Sequence, residues 1–304
     1  MDHEVTETVN RTLSVVGAGR AGAALAAAAA AHGWNVVAIA SRTPADADAL
    51  ASATGATVAR TAAQAVRSAE LTVLAVPESY VSRVAAAIAA NGPALRGRVV
   101  AHCSASLGTE VLAALRQTGA AVGVVHPLQA LAGVASAELL PGSFFRVEGD
   151  TNALPVLHTF VSDLGGVTLE IAPEHRALYH AAAVLAGNAP LTLLARATGL
   201  LVDAGVDPDA AHAALATLLE GSARNARRLG AGSALTGPVA RGDAATVRSN
   251  LDALAVDADA RDLYLRLARQ MLALAGREGR EDVATVLDAA QLPPRPRIAG
   301  TRVA

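Results

Sequence analysis

Hydrophobic positions in the first half of the chain form short, uninterrupted runs, each followed by a stretch of helical character. Strands are predicted near Leu13 and Val36, and over Leu71 to Val76, Arg98 to His102, Ala121 to Val125 and Phe144 to Val147. Helices are predicted over Ala21 to His32, Ala45 to Thr54, Ser79 to Asn91 and Leu107 to Gln117. Strands without polar alternation suit a sheet covered on both faces. The order therefore implies an α/β fold with a doubly wound parallel Rossmann-type sheet and right-handed crossovers.

After about Ile171 the period changes and no clear strand follows. Helices are predicted over Pro173 to Gly205, Pro208 to Leu229, Asp243 to Leu254, Asp257 to Gly276 and Glu281 to Ala289, with breaks at Asp207-Pro208, Gly242-Asp243 and Gly279 to Glu281. We expect a Rossmann-like domain over 12–170 and a mainly α-helical domain over 171–291. Disordered ends are expected over 1–11 and 292–304, the second carrying three prolines and scattered arginines.

The first strand, Leu13 to Val16, runs into Gly17-Ala18-Gly19-Arg20-Ala21-Gly22, glycines spaced GxGxxG at the mouth of an alanine-rich helix. Gly17 permits a sharp turn, Gly19 admits backbone close to a pyrophosphate, and Gly22 lets helix and strand pack tightly. The free N–H groups and dipole of the helix N-terminus then face an anion. In a glycine-rich chain the spacing also arises by chance, so its context decides.

The second strand ends in Ser41-Arg42-Thr43, where an acidic residue would hold the ribose hydroxyl of NAD. Asp46 is the first acid after it. Arg42 between two hydroxyls suits a 2′-phosphate, which a guanidinium binds through two parallel hydrogen bonds, and this favours NADP(H). The plain alternative is a surface cation after a strand.

At 304 residues the chain has room for two domains, and its single cysteine excludes an internal disulfide framework and fits a reducing cytoplasm. Met1 to Arg11 has no apolar signal core. The apolar run from Ala21 to Ala31 is too short to span a bilayer, and Asn188, Pro190 and Arg196 interrupt the longer one after Ala181, so no membrane segment is expected. The net charge of -2, with no basic cluster, gives no reason to expect nucleic acid. All 25 basic residues are arginine, which excludes every mechanism that needs a lysine amine.

Candidate chemistry lies at strand ends. Val76-Pro77 closes a strand whose position is fourth in a dinucleotide fold, where proline stiffens a loop passing under the cofactor or simply ends the strand. The next strand ends in His102-Cys103-Ser104-Ala105-Ser106, and the one after it in His126-Pro127-Leu128-Gln129. Ser104 and His126 thus share one rim of the sheet. A neutral imidazole can take an alcohol proton as hydride leaves carbon, with Ser104 orienting the substrate. The alternatives are a helix-capping serine and a structural histidine. Cys103 reads as a small buried residue. Further on, His180 and Asn188 lie on roughly one helical face, near the local weakness made by Gly187 and Pro190. Arg241, in the loop Thr236 to Asp243, could bind a substrate carboxylate or merely join two helices. No metal site is expected.

These pieces in this order resemble a family of NADP-dependent oxidoreductases with a Rossmann-like domain and a C-terminal helical domain of unknown function. The resemblance spans nearly the whole chain, from Gly17 through His126-Pro127-Leu128-Gln129 and Tyr179-His180 to the loop Thr236 to Asp243. More distantly the layout is similar to pyrroline-5-carboxylate reductases, beta-hydroxyacid dehydrogenases, ketopantoate reductases and prephenate dehydrogenases. Ser104 and His126-Pro127 match in type and order the serine and the catalytic His-Pro pair of prephenate dehydrogenases. The lysine that beta-hydroxyacid dehydrogenases and ketopantoate reductases place four residues before an asparagine is absent, because Val184 stands four before Asn188. That departure leaves His180 as a replacement acid and Asn188 as a hydrogen-bond donor.

The expected function is hydride transfer between NADP(H) and a small carbonyl, hydroxy-acid or imine substrate in an interdomain cleft. Gly17 to Gly22, Ser41 to Thr43 and Val76-Pro77 would hold the cofactor, and His126, Ser104, His180 and Asn188 would carry the chemistry. The alternative is a non-catalytic NADP(H)-binding sensor or scaffold. A homodimer through the helical domain and a cytoplasmic location complete the expectation.

Overall fold

The computed structural model describes residues 11–92 and 94–290, and its chain divides into two compact units, 1–189 and 190–304. The segments predicted to be disordered lie outside the described residues, apart from Arg11, whose guanidinium pairs with Asp163 at 2.7 Å.

The first unit is built on one eight-stranded sheet, ordered β3-β2-β1-β4-β5-β6-β7-β8. Its strands are β1 (Thr12–Val16), β2 (Asn35–Ala40), β3 (Thr57–Val58), β4 (Leu71–Leu74), β5 (Val99–His102), β6 (Ala121–Pro127), β7 (Phe144–Gly149) and β8 (Val167–Leu169). The helices are α1 (Arg20–Ala31), α2 (Pro44–Thr54), α3 (Ala62–Val66), α4 (Glu78–Asn91), α5 (Ala113–Arg116), α6 (Leu154–Asp163) and α7 (Arg176–Gly187). Alternation along the strands splits the core into two layers. Leu13, Val15, Val73, Ala101 and Phe145 face one, while Val16, Leu74, Val100, Val122 and the α4 residues Val81 and Ile88 face the other. The chain order reverses between β1 and β4, the kind of switch point at whose carboxyl strand ends sheets of this type bind ligands.

The sheet is parallel from β3 through β6, but β7 runs antiparallel to β6, pairing His126 with Arg146, and β8 is parallel to β7. The Rossmann-type sheet is thus mostly parallel, as expected, with the β6/β7 pair its antiparallel exception. The link from β6 to β7 carries only a 3-10 turn, Val134–Leu139, which packs on α1 instead of crossing the sheet as a full helix. The predicted helix Leu107 to Gln117 is likewise a 3-10 turn, Thr109–Leu112, followed by the four residues of α5. Two short strands, β3 and β8, and the helices α3 and α6 were not predicted. α6 opens on Leu154-Pro155, and proline suits a first helical turn, a signal that marks it in retrospect.

The second unit is helical: α8 (Ala189–Asp203, whose first residue closes the first unit), α9 (Pro208–Leu229), α10 (Ala231–Ala234), α11 (Pro238–Arg241), α12 (Ala244–Ala253), α13 (Ala258–Ala275) and α14 (Glu281–Ala289). Carboxylates start three of them. Asp207 accepts from the backbone N–H of Asp209 and Ala210, Asp243 from Thr246, and Asp257 from Ala260. Val239, Val247, Leu251, Leu265, Leu272, Val283 and Leu287 form its core. The predicted single helix from Pro173 is instead a 3-10 turn, then α7 and α8, parted at Asn188 ahead of Pro190. By length and apolarity the stretch Pro173–Asp203 meets the requirement for crossing a bilayer, with mean hydropathy 1.3, and little of it is buried.

Candidate active site

β1 runs into Gly17, whose φ of +108° only glycine adopts readily, and whose N–H donates to the Ala40 carbonyl at 2.7 Å. A Cβ on Gly17 would collide with the Ala75 carbonyl just beyond β4, and one on Gly22 would collide with the carbonyl of Gly17. Both glycines are therefore required by the protein's own packing at the β1/β4 reversal. Gly19 differs, since nothing lies within 4 Å of the place its Cβ would take. It starts α1 without a side-chain cap and without an acid in the first turn, so open space faces free backbone N–H groups. That cradle fits a pyrophosphate. Ala18 is buried, while Arg20 is exposed at the start of α1, followed by Ala21.

The other cofactor candidates lie on the same rim. Arg42 is exposed beyond β2, with the Thr43 N–H donating to the Ser41 hydroxyl at 3.3 Å. Val76 is half-buried and Pro77 exposed after β4, and Pro77 leads into α4.

At the ends of β5 and β6 the side chains hold one another. Ser104 Oγ donates to Glu78 Oε1, and Ser106 Oγ donates to Glu78 Oε2 at 2.7 Å. The N–H groups of Ser106 and Leu107 donate to Ser104 Oγ at 3.3 and 3.2 Å, so its hydroxyl organises the turn that follows β5. Burial works to raise the Glu78 carboxyl pKa, but the hydrogen bonds from the two serines outweigh it and hold the group below its ordinary value. His102 is fully buried. It accepts the Ser104 N–H on Nδ1 at 3.1 Å and donates from Nε2 to the Gly108 carbonyl at 3.0 Å, a neutral tautomer serving the loop.

His126, near the end of β6, meets the buried Tyr179 of α7, with Nδ1 2.8 Å from the phenol oxygen and the rings edge to face. Burial first, then the positive fields of Arg146 and His180, push its pKa down to about 4. His126 is therefore neutral at pH 7. His180 is exposed beside Tyr179, close enough for its charge to act on both Glu78 and His126.

Arg146, directly across from His126 on β7, is completely buried. Its Nη2 donates to the carbonyls of Ser104 and Leu107 at 3.1 and 2.6 Å, and its Nη1 pairs with Glu148 at 3.0 Å. Glu148 also pairs with Arg176. One buried guanidinium thus ties the turn after β5 to the strand beside His126. Burial pushes the Cys103 thiol pKa up to about 12, which works against a thiolate there.

Ser104, His126 and His180 are thus assembled at the rim of the first unit, around Glu78 and Tyr179. Asn188 is exposed at the C-terminal end of α7. Arg241 belongs to the second unit, where it closes α11 before Gly242. Sequence reasoning did not single out Glu78, Arg146 or Tyr179 as site residues. Arg146 carried the clearest signal, a cation inside the apolar strand Phe144-Phe145-Arg146-Val147.

Comparison with known proteins agrees with this organisation. Residues 4–127 match a Rossmann-like domain, and residues 143–271 match a domain of unknown function, DUF2520. No curated protein matches the sequence. Among solved structures, a Bacteroides fragilis protein provisionally described as an NADP oxidoreductase superposes with a TM-score of 0.70 at 24% identity, over 86% of this chain and 97% of that one. A Thermotoga maritima protein follows with a TM-score of 0.66 at 25% identity, over 88% and 99%. A reductive aminase from Aspergillus terreus, solved with NADPH and ethyl levulinate, gives 0.58 at 20% identity, over 92% and 99%. The two domain matches follow one another along the chain, a Rossmann-like segment first and a DUF2520 segment after it.

Proposed function

We propose that this protein is an NADP(H)-dependent oxidoreductase acting on a small carbonyl, hydroxy-acid or imine substrate at the strand-end rim of its first unit. The observation that carries the reading is the meeting, on one rim, of an open glycine cradle at Gly19 with a neutral imidazole at His126. The similar folds described as an NADP oxidoreductase and as a reductive aminase with NADPH support it. NADP(H), when bound, supplies or accepts the hydride.

The chain's own groups handle the proton. His126, anchored at Nδ1 by Tyr179, presents Nε2 as a base that takes the hydroxyl proton when an alcohol is oxidised. In the reverse direction a pKa of about 4 makes the imidazolium scarce at neutral pH, so few copies of the site hold a proton to give. That favours a protonated imine, which needs no further acid, over a ketone as the substrate reduced. Glu78, with its charge held by Ser104 and Ser106, is the carboxylate on this rim that would stabilise a cationic substrate nitrogen. A screen of carbonyls, hydroxy acids and imines followed by NADPH absorbance, with NADH in parallel, tests the reading. Turnover with NADPH, fastest on imines, is the expected result. Tight NADPH binding without turnover of any compound would instead make the protein a sensor or scaffold.

The same reading makes the protein a homodimer through its helical region. No residue of α8 is buried and only Ala211 of α9 is, although Leu191, Leu193, Val202 and Leu218 stand exposed along them. Apolar helices of this length gain stability from a covering partner. A monomeric mass by light scattering at micromolar concentration would reject the dimer.

A further inference from the structure

Two guanidiniums gather on the ring of Tyr80, in the first turn of α4. That of Arg42, beyond β2, lies 4.9 Å from the ring centroid, and that of Arg83, one turn further along α4, lies 5.2 Å from it. Both arginines are exposed, and Tyr80 is half-buried. Among the described residues neither arginine pairs with a carboxylate. The nearby acid Glu78 is already committed to Ser104 and Ser106.

An exposed cation over a half-buried ring is weakly held, and two cations on one ring repel each other. A multiply charged anion between them would turn that repulsion into attraction. A phosphate monoester suits the place, since its three terminal oxygens can accept from two planar donors at once. The position narrows the ligand further. Arg42 follows β2, where this fold meets the ribose on the adenosine side of a dinucleotide.

We propose that Arg83, gathered with Arg42 on Tyr80, is a second ligand of the 2′-phosphate of NADP(H), so that the preference for this cofactor is built jointly by β2 and α4. The proposal rests on the NADP(H) reading above. It assigns Tyr80 a positioning role, holding the two guanidiniums within reach of one anion.

Calorimetric titration of the full-length protein with 2′,5′-ADP and with 5′-AMP tests it without any substrate. The wild type is expected to bind 2′,5′-ADP at least about tenfold more tightly, the contribution of a charge-assisted pair. Arg83→Ala is expected to weaken 2′,5′-ADP about tenfold while leaving 5′-AMP within roughly twofold, and Arg83→Lys to fall between, as a point charge replacing a fork. If Arg42→Ala weakens 2′,5′-ADP and Arg83→Ala does not, the role of Arg83 is overturned and the cofactor reading stands. Equal weakening of both nucleotides by Arg83→Ala also overturns the phosphate role. A wild type that binds the two nucleotides equally overturns the proposal together with the choice of NADP(H).

Discussion

The two ends of the strand-end rim are built on opposite principles. At the β1/β4 end, backbone N–H groups at the start of α1 and the cations Arg42 and Arg83 have no carboxylate or capping partners among the described residues. At the β5/β7 end nearly every polar group has a partner inside the fold, from Ser104 with Glu78 to Arg146 with two carbonyls and Glu148. A region that waits for an anion keeps donors free, because an internal acceptor would compete with the ligand. A region that must hold one protonation state and one geometry closes its own network. The comparison predicts that substitutions at the first end separate binding from stability, whereas those at the second end damage stability first.

The largest effect is expected where packing and ligand space meet. Gly17→Ala places a Cβ against the Ala75 carbonyl at a φ of +108°. A loss of about 3 kcal/mol or more in unfolding free energy should follow, with NADPH binding abolished. Urea denaturation and NADPH fluorescence measure the two. Unchanged stability would break the account of the β1/β4 reversal.

Arg146→Met should cost about 3 kcal/mol, since it strands the carbonyls of Ser104 and Leu107 and removes one of the partners of Glu148. The loss should appear as a lower denaturation midpoint. If Arg146→Met is instead as stable as wild type, the closed network is not what holds the β5/β7 end.

The depressed pKa of His126 carries a pH signature. In the unfolded chain the imidazole titrates near 6.5, and in the fold near 4. Below the unfolded value the unfolded state binds the proton more readily, so stability from this group is fully present above about pH 6.5 and drains away as pH falls toward 4. His102, also pushed down by burial, acts in the same direction. The His126 share is roughly 2 to 3 kcal/mol. His126→Gln should flatten the stability curve between those limits by that amount, and an unaltered slope would show that the imidazole is not held neutral.

Legibility in the sequence followed the range of the forces involved. The turn at Gly17 to Gly22 was readable because a strand, three glycines and a helix start lie within a few residues. α9 and α14 matched their predicted limits, since a proline after Asp207 and an acidic first turn are local signals. The reversal of β7 left no local trace, because a strand reads alike in either direction and only its partner fixes the sense. The partnership of Glu78 with Ser104 joins residues 26 apart, and that of His126 with Tyr179 joins residues 53 apart. Ser104 and His126 could be picked as residue types at strand ends, but what holds them came from α4, α7 and β7, which periodicity cannot align.

The smallest expected effect on stability tests the comparison most sharply. Gly19→Ala adds a methyl where nothing lies within 4 Å, with no left-handed backbone to strain, so unfolding free energy should stay within about 0.5 kcal/mol of wild type. The methyl would, however, stand in the space through which a pyrophosphate approaches the first turn of α1. NADPH affinity should therefore fall by about a hundredfold, the equivalent of one lost close backbone approach to a charged group. Gly17→Ala removes binding by unmaking the turn, whereas Gly19→Ala should remove it from an intact one. If Gly19→Ala bound NADPH as wild type does, the open space at α1 would not be the phosphate site, and the contrast between a waiting end and a closed end of the rim would lose its first half.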